Sequence, residues 1–389
     1  MAETRRDAGT QAGPAAGCAV GMLSLLVALL IAEMATRWLY PVPLHATDTF
    51  LAAGPQELRE GRARPRWLRP NCEARHVEDD FDVAVSTNSH GLRDEEIAFD
   101  KPDGHTRVLA VGDSFTFGYG VEVYEAFCKV AQRNLGGDTL VINCGVPSWG
   151  TADELDFLLL EGFDYAPDAV VVCVYENDVR DNLNRGTYRV TASGVERTAA
   201  LGSARQSDEG AGGLHTQDPF CEQVLDRGAS TWGEPEDAEP SFLVRSSNLW
   251  RIARQALSRA TQRGRAAQAA TTPAEQRELG RRLTVGLLAE IARACGERGV
   301  PVIVMLMPSK EDVQAGATER FTEEIGALAG EAGREGAEIV DLMPVLLAHG
   351  GRTLYFPTNR HINADGHRVV GEALARSLEE LLVGTGGRR

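Results

Sequence analysis

Acyl transfer needs a nucleophile, a base to deprotonate it, and N–H donors for the oxyanion of the tetrahedral intermediate. Residue types able to play each part occur in four separated blocks of this sequence. The first, Val111-Gly112-Asp113-Ser114-Phe115-Thr116-Phe117-Gly118-Tyr119-Gly120, sets a hydroxyl on a glycine-bounded turn. The second, Asn143-Cys144-Gly145-Val146-Pro147-Ser148-Trp149-Gly150, has a glycine, Gly145, where the backbone can approach a ligand and offer its N–H. The third, Tyr175-Glu176-Asn177-Asp178, brings a side-chain amide donor, Asn177. The last, Arg360-His361-Ile362-Asn363-Ala364-Asp365-Gly366-His367, brings an imidazole. His361 is the candidate base for Ser114, whereas His367, just inside the last helical pattern, reads as structural. A lone serine before a helix is most often a cap; the three neighbouring blocks turn the reading toward catalysis.

Positioning these blocks requires a scaffold. Short apolar runs bounded by turn residues, Arg107 to Val111, Thr139 to Asn143, Ala169 to Tyr175, Pro301 to Met307 and Ala337 to Leu342, have the continuous hydrophobicity of buried parallel strands. Helical patterns lie between them, around Glu122 to Leu135, Thr151 to Phe163, Pro273 to Arg298, Thr318 to Glu335 and Ala364 to Leu382. The second of these opens on Thr151-Ala152-Asp153-Glu154, a capping-box pattern. This alternation predicts an α/β fold, a mostly parallel sheet with helices on both faces. Ligands of such sheets bind outside the carboxyl ends of the strands. The first three blocks each follow a strand, and the fourth precedes the last helix.

Residues 185–240 break the rhythm: rich in Gly, Ala, Ser, Asp and Glu with few large apolar side chains, they read as an insertion or flexible lid. A helix is expected to resume over Phe242 to Leu257, where Leu243, Leu249, Ile252, Ala253 and Leu257 form one stripe. Residues 258–272 read as a solvated linker.

The four blocks resemble the SGNH (GDSL-type) hydrolase superfamily, named for a Ser, Gly, Asn and His in that order, here Ser114, Gly145, Asn177 and His361. The chain looks most like bacterial membrane-anchored members, which often carry Asn-x-x-Gly-x-Arg-Asp upstream of the serine block. That segment reads Asn88-Ser89-His90-Gly91-Leu92-Arg93-Asp94, and Pro308-Ser309-Lys310 matches a stretch after the fourth strand of similar relatives. The resemblance implies a three-layer flavodoxin-like sandwich with Ser114 as nucleophile and His361 as base. It also implies an oxyanion hole of the Ser114 and Gly145 N–H groups with the Asn177 amide.

Two positions depart from the family pattern. An Asp usually stands two or three residues before the histidine, where this chain has Asn359 and Thr358, and Tyr175 stands where the third block usually has Gly. In serine proteases Asp to Asn at the orienting position costs about 10⁴ in turnover, although Cys-His-Asn sites show an amide in that role. Three outcomes stay open: Asn359 or a backbone carbonyl orients His361, an acid comes from elsewhere, or the site is silent. Asp341 and Asp365 are the nearest acids, with ordinary readings as a strand-end residue and a helix N-terminal charge.

The bulk properties narrow the partners. A net charge of -16 and a pI near 5.0 repel phosphate backbones, so no nucleic acid is expected. The seven cysteines show no C-x-x-C pair, so no metal site on thiolates is expected, and acyl transfer by a serine calls for no cofactor. Cys72 and Cys221 alone lie in polar surroundings, and an oxidising compartment would allow them to pair. From Ala15 to Ala32 no residue is charged; at 1.5 Å per residue that run spans about 27 Å, near the ~30 Å of a bilayer core. Arg5 and Arg6 ahead of it favour a cytoplasmic N-terminus. The organisation expected is a cytoplasmic tail (1–14), a single-pass membrane anchor (15–35), a juxtamembrane connector (36–84) and an extracytoplasmic hydrolase-like domain (85–383), the alternative to the anchor being a cleaved signal peptide. The activity expected is a serine esterase or O-acyltransferase acting on acyl esters of glycans or lipids. The alternative is a catalytically silent protein of the same fold that binds a glycan or an assembly partner.

Overall fold

The computed structural model describes residues 14–39, 67–198, 273–316 and 332–386, with isolated stretches at 51–52, 58–59, 62–63, 247, 249, 252–253 and 330. Two units form, one of Met1–His45 with Glu239–Ala269, the other of Ala46–Ala238 with Ala270–Arg389.

In the first unit, helix α1 (Pro14–Leu39) contains a 19-residue run, Gly21–Leu39, of mean hydropathy 1.7, in which no residue is fully buried. It is long and apolar enough to cross a membrane. At its end the Glu33 carboxylate pairs with Arg37 at 2.6 Å and accepts from Ser247 Oγ at 2.8 Å and Leu249 N–H at 3.0 Å. Of the helix expected over Phe242 to Leu257, Leu249, Ile252 and Ala253 are described, and they are helical; the rest lies outside the described residues.

The second unit carries the sheet. Two-residue strands pair first, Leu51–Ala52 with Trp67–Leu68 and Leu58–Arg59 with Arg62–Ala63, and a longer hairpin follows, β1 (Glu73–Glu78) and β2 (Phe81–Ser86), with Glu78 opposite Phe81. Then β3 (Thr106–Gly112), the short helix α2 (Ser114–Phe117), α3 (Phe127–Leu135), β4 (Thr139–Gly145), α4 (Thr151–Leu160), β5 (Ala169–Val174) and α5 (Asp178–Arg185) follow. A further hairpin, β6 (Tyr188–Thr191) with β7 (Gly194–Arg197), precedes α6 (Pro273–Gly296). The chain closes with β8 (Val302–Leu306), α7 (Lys310–Ala315), β9 (Glu338–Asp341), α8 (Met343–Ala348) and α9 (Ala364–Gly386).

The five-stranded sheet runs β9-β8-β5-β3-β4, with every neighbouring pair parallel. Its order is that of flavodoxin-like sheets, and it reverses between β3 and β5, the switch point where a crevice opens. Alternate residues serve opposite faces: Val108 and Ala110 pack with Phe127 of α3 and Val370 of α9, Leu109 and Val111 with Leu155 of α4 and Leu287 of α6. All eight are essentially buried, and each large apolar side chain among them contributes roughly 1.5–3 kcal/mol.

Several expectations change. Trp67, Leu68, Val83 and Val85 are core residues, so the folded body begins well upstream of residue 85, inside the stretch read as a connector. The segment read as an insertion starts with ordered structure: Tyr188 is buried and donates to Asp156 at 2.7 Å, and Arg197 pairs with the same carboxylate at 3.0 Å. The remainder of 185–240, Cys221 included, lies outside the described residues, as does most of the helix expected over Thr318 to Glu335. The cap of α4 shifts by one position. Gly150 is the N-cap, its N–H donates to Asp153 Oδ2 at 3.1 Å, and Thr151 and Glu154 lie buried inside the helix.

Candidate active site

Ser114 sits at the carboxyl end of β3, beside the switch point. Asp113 caps the short helix behind it, its Oδ1 accepting from Phe115 N–H at 2.9 Å, and Gly118 ends that helix at φ 81°, a left-handed conformation suited to glycine. As the first residue of the helix, Ser114 has an N–H with no intrahelical acceptor. The Asn-x-x-Gly-x-Arg-Asp segment holds this turn. Arg93, fully buried, donates to the carbonyls of Phe117 (3.1 Å), Gly118 (2.6 Å), Ala84 (2.9 Å) and Val121 (2.7 Å). Burial lowers its pKa to about 10, which leaves it charged at neutral pH. Asp94 meets Lys129 at 2.5 Å and accepts from Asn143 N–H at 2.8 Å, tying the motif to β4 as well.

His361 lies on the loop before α9, and Lys310 pins that loop by donating to the carbonyls of Phe356 (2.7 Å) and Pro357 (2.8 Å). This accounts for the Pro-Ser-Lys stretch, whose Ser309 caps α7. The imidazole Nε2 stands 2.7 Å from Ser114 Oγ, and Nδ1 stands 2.6 Å from Asn359 Oδ1. That oxygen also accepts from His361 N–H at 3.1 Å. Tyr119 stacks on the imidazole, ring centroids 4.2 Å apart at 23°. Asp341 and Asp365 are engaged elsewhere, with Met343 N–H at 2.8 Å and Arg368 at 3.6 Å. His367 is buried, and its Nδ1 accepts from Phe127 N–H at 3.2 Å, serving the start of α3 where Ala126 has no capping side chain.

The structure places the candidate oxyanion donors differently from one another. Asn177 follows β5; its Nδ2 donates to Asp181 at 3.0 Å, and its side chain also hydrogen-bonds the Asp113 carboxyl. Gly145 N–H donates to Asn143 Oδ1 at 3.0 Å. Gly145 is also where the backbone comes closest to α2: a Cβ there would lie 2.2 Å from Phe117 N. Ser148, in the same loop, is exposed and holds φ 68°, an uncommon conformation for a residue with a side chain. Tyr175 packs against Phe115 at 4.5 Å, filling space beside the serine.

Charge around the site favours neutral groups. Burial, with the charges of Arg360 and His76, lowers the His361 pKa to about 3. Burial raises Asp113 to about 7 against hydrogen bonds from Phe115 N–H and the Asn177 side chain. Burial and neighbouring carboxyls push Glu154 and Asp178 well up too. Among the described residues no group of three His, Cys, Asp or Glu side chains is arranged to hold a metal ion.

The family model for the GDSL-like lipase/acylhydrolase family matches residues 110–369, more than half of the chain and all four blocks. The protein belongs to this family, and family-level evidence thus makes it an esterase or acylhydrolase of the GDSL/SGNH type. Among solved structures it is similar to a lipase/acylhydrolase from Enterococcus faecalis, with 16% identity, 71% of this chain and 96% of that one covered, and a TM-score of 0.37. A GDSL-like lipase from Bacteroides thetaiotaomicron gives 10% identity, coverage of 72% and 91%, and a TM-score of 0.38. An acetyl xylan esterase gives 12%, 70% and 98%, and 0.39. No curated protein matches the chain.

Proposed function

We propose that the protein is a membrane-anchored serine esterase or O-acyltransferase whose reaction passes through an acyl-Ser114 intermediate. The observation that carries this reading is the 2.7 Å contact between Ser114 Oγ and His361 Nε2, with an amide oxygen on the opposite ring nitrogen. An amide oxygen accepts, so Nδ1 carries the hydrogen and Nε2 is left as the base. Nε2 takes the serine proton as Oγ attacks the ester carbonyl, then returns it to the departing alkoxide. Water, or an acceptor hydroxyl in a transferase, then loses its proton to Nε2 and attacks the acyl carbon, and Nε2 passes that proton to Oγ as the bond to Ser114 breaks.

The oxyanion is assigned to Ser114 N–H and the Asn177 amide, whose Nδ2 would turn from the Asp113 or Asp181 carboxyl to reach it. Gly145 N–H would join them only by giving up Asn143 Oδ1. The exposed apolar face of α1 supports an anchor, and the arginines ahead of it support a body on the extracytoplasmic side. From there, acyl esters of glycans or lipids are the substrates within reach. The proposed steps call for neither a metal nor a cofactor.

The test is hydrolysis of a chromogenic acetyl ester by the detergent-solubilised full chain as a function of pH. His361 acts only when neutral, so activity is present above its folded pKa and lost as pH falls through it. With that pKa near 3, below the ordinary ~6.5, kcat/KM at pH 5 should stay within about twofold of its value at pH 7. Turnover that halves near pH 6.5 would contradict this environment for His361, and none at any pH would overturn the proposed function.

A further inference from the structure

The orienting amide of His361 is itself oriented. Asn359 Nδ2 donates to Glu78 Oε2 at 2.7 Å, across 281 residues of sequence. Glu78 ends β1, and the hairpin tip grips the histidine loop a second time through Asp80. Its Oδ2 accepts from Thr358 N–H at 2.9 Å, Thr358 Oγ1 at 2.7 Å and Asn359 N–H at 2.7 Å. The other Glu78 oxygen accepts from Tyr119 O–H at 2.5 Å and lies 3.6 Å from Nε2 of the buried His76. A continuous line therefore runs Ser114, His361, Asn359, Glu78, with Tyr119 both bonded to Glu78 and stacked on His361.

We propose that Glu78 is the positioning acid of this site, acting on His361 through the Asn359 amide. This rests on the reading of Ser114 and His361 given above. An amide has an oxygen end and a nitrogen end, and swapping them would present N–H to His361 Nδ1. Nδ1 would then become an acceptor, the hydrogen would move to Nε2, and the base would be lost. A carboxylate only accepts, so Glu78 requires the nitrogen end of Asn359 to face it, and the oxygen end to face Nδ1. The negative charge also stands two hydrogen bonds from the imidazolium that forms when Ser114 is deprotonated. The acid missing from its usual place before the histidine enters from the other end of the fold, with Asn359 as intermediary. The other charged groups nearby are Arg360, which faces His361, and Lys310, whose Nζ is 3.3 Å from Asn359 O.

The test is a kinetic cycle on the full chain with a chromogenic acetyl ester, using Glu78→Leu, Glu78→Gln, Asn359→Asp and the Glu78→Gln/Asn359→Asp double variant. Glu78→Leu should lower kcat by about tenfold to hundredfold, the usual effect of losing a partner that orients a functional histidine, with KM unchanged. Glu78→Gln can still offer an oxygen to Asn359 and should lose less. Asn359→Asp should lower kcat in the parent, because it sets two carboxylates against each other. In the Glu78→Gln background it should raise kcat, because the new carboxylate then accepts from both Nδ1–H and the glutamine amide. This reversal of sign is not expected of a residue that only supports folding.

Unchanged kcat in Glu78→Leu, or the same sign for Asn359→Asp in both backgrounds, would overturn the proposal. A parent without turnover would instead sink the proposed function. The imidazole ¹⁵N shifts of His361 then decide the role of Glu78: a pure Nδ1–H tautomer in the parent and a mixture in Glu78→Leu support it, and identical spectra refute it.

Discussion

Ser114→Ala is expected to lower turnover of an acetyl ester by roughly 10⁴–10⁶-fold, and His361→Ala by a similar factor. The double variant should be no slower than either single one, because nucleophile and base act as a unit and the second removal finds nothing left to lose. KM should change little, since the Oγ–Nε2 bond matters most as the transition state forms. Losses that multiplied in the double variant would mean that the two residues act independently, against the 2.7 Å contact that joins them. Rates measured in all three variants beside the parent check this.

Arg93→Met is expected to be the most destabilising single change near the site. Four carbonyls, those of Phe117, Gly118, Ala84 and Val121, converge on this one buried guanidinium. Methionine fills much of the volume and satisfies none of them. Phe117 O keeps Asn143 Nδ2 at 3.4 Å and Gly118 O keeps Val121 N–H at 3.3 Å, so the carbonyls of Ala84 and Val121 are the ones exposed to the penalty; a buried acceptor left alone costs about 1–3 kcal/mol, which places the loss at roughly 2 kcal/mol or more. That is a large part of the ~5–15 kcal/mol that holds a typical fold. The melting temperature of the second unit should drop by at least about 4 °C. Arg93→Lys keeps the charge but not the planar fork that reaches several carbonyls at once, and should fall between. A circular-dichroism melt of Arg93→Met that coincides with the parent would refute this role.

These two residues mark how far the sequence could be read. Ser114 and His361 were legible because each lies at a strand exit or a helix start, and the strand runs are apolar enough to be recognised one by one. All five expected strands of the sheet form within a residue or two of their predicted ends. The contact of Asn359 with His361 was legible in part, as one of several ways to orient the imidazole. Glu78 was not, because nothing local distinguishes it. It sits in a polar strand that alternates with neither face continuously buried, and its partner is 281 residues away.

The Arg93 motif was visible as a pattern without a mechanism, since its acceptors are backbone carbonyls that sequence does not display. The shifted cap of α4 has a simpler cause. Thr151 and Glu154 match a capping box in type and spacing, but packing at the switch point buries both, and Gly150 with Asp153 takes over the terminus.

The central claim is that His361 makes Ser114 a nucleophile, and covalent capture tests it most directly. The full chain is treated with a fluorophosphonate at neutral pH and the adduct is mapped by peptide mass. The account requires one adduct, on Ser114, formed quickly in the parent and slowed at least about a hundredfold in His361→Ala, the lower range for a positioned base. An adduct elsewhere, no adduct on the folded protein, or equal labelling of Ser114 in His361→Ala would contradict it.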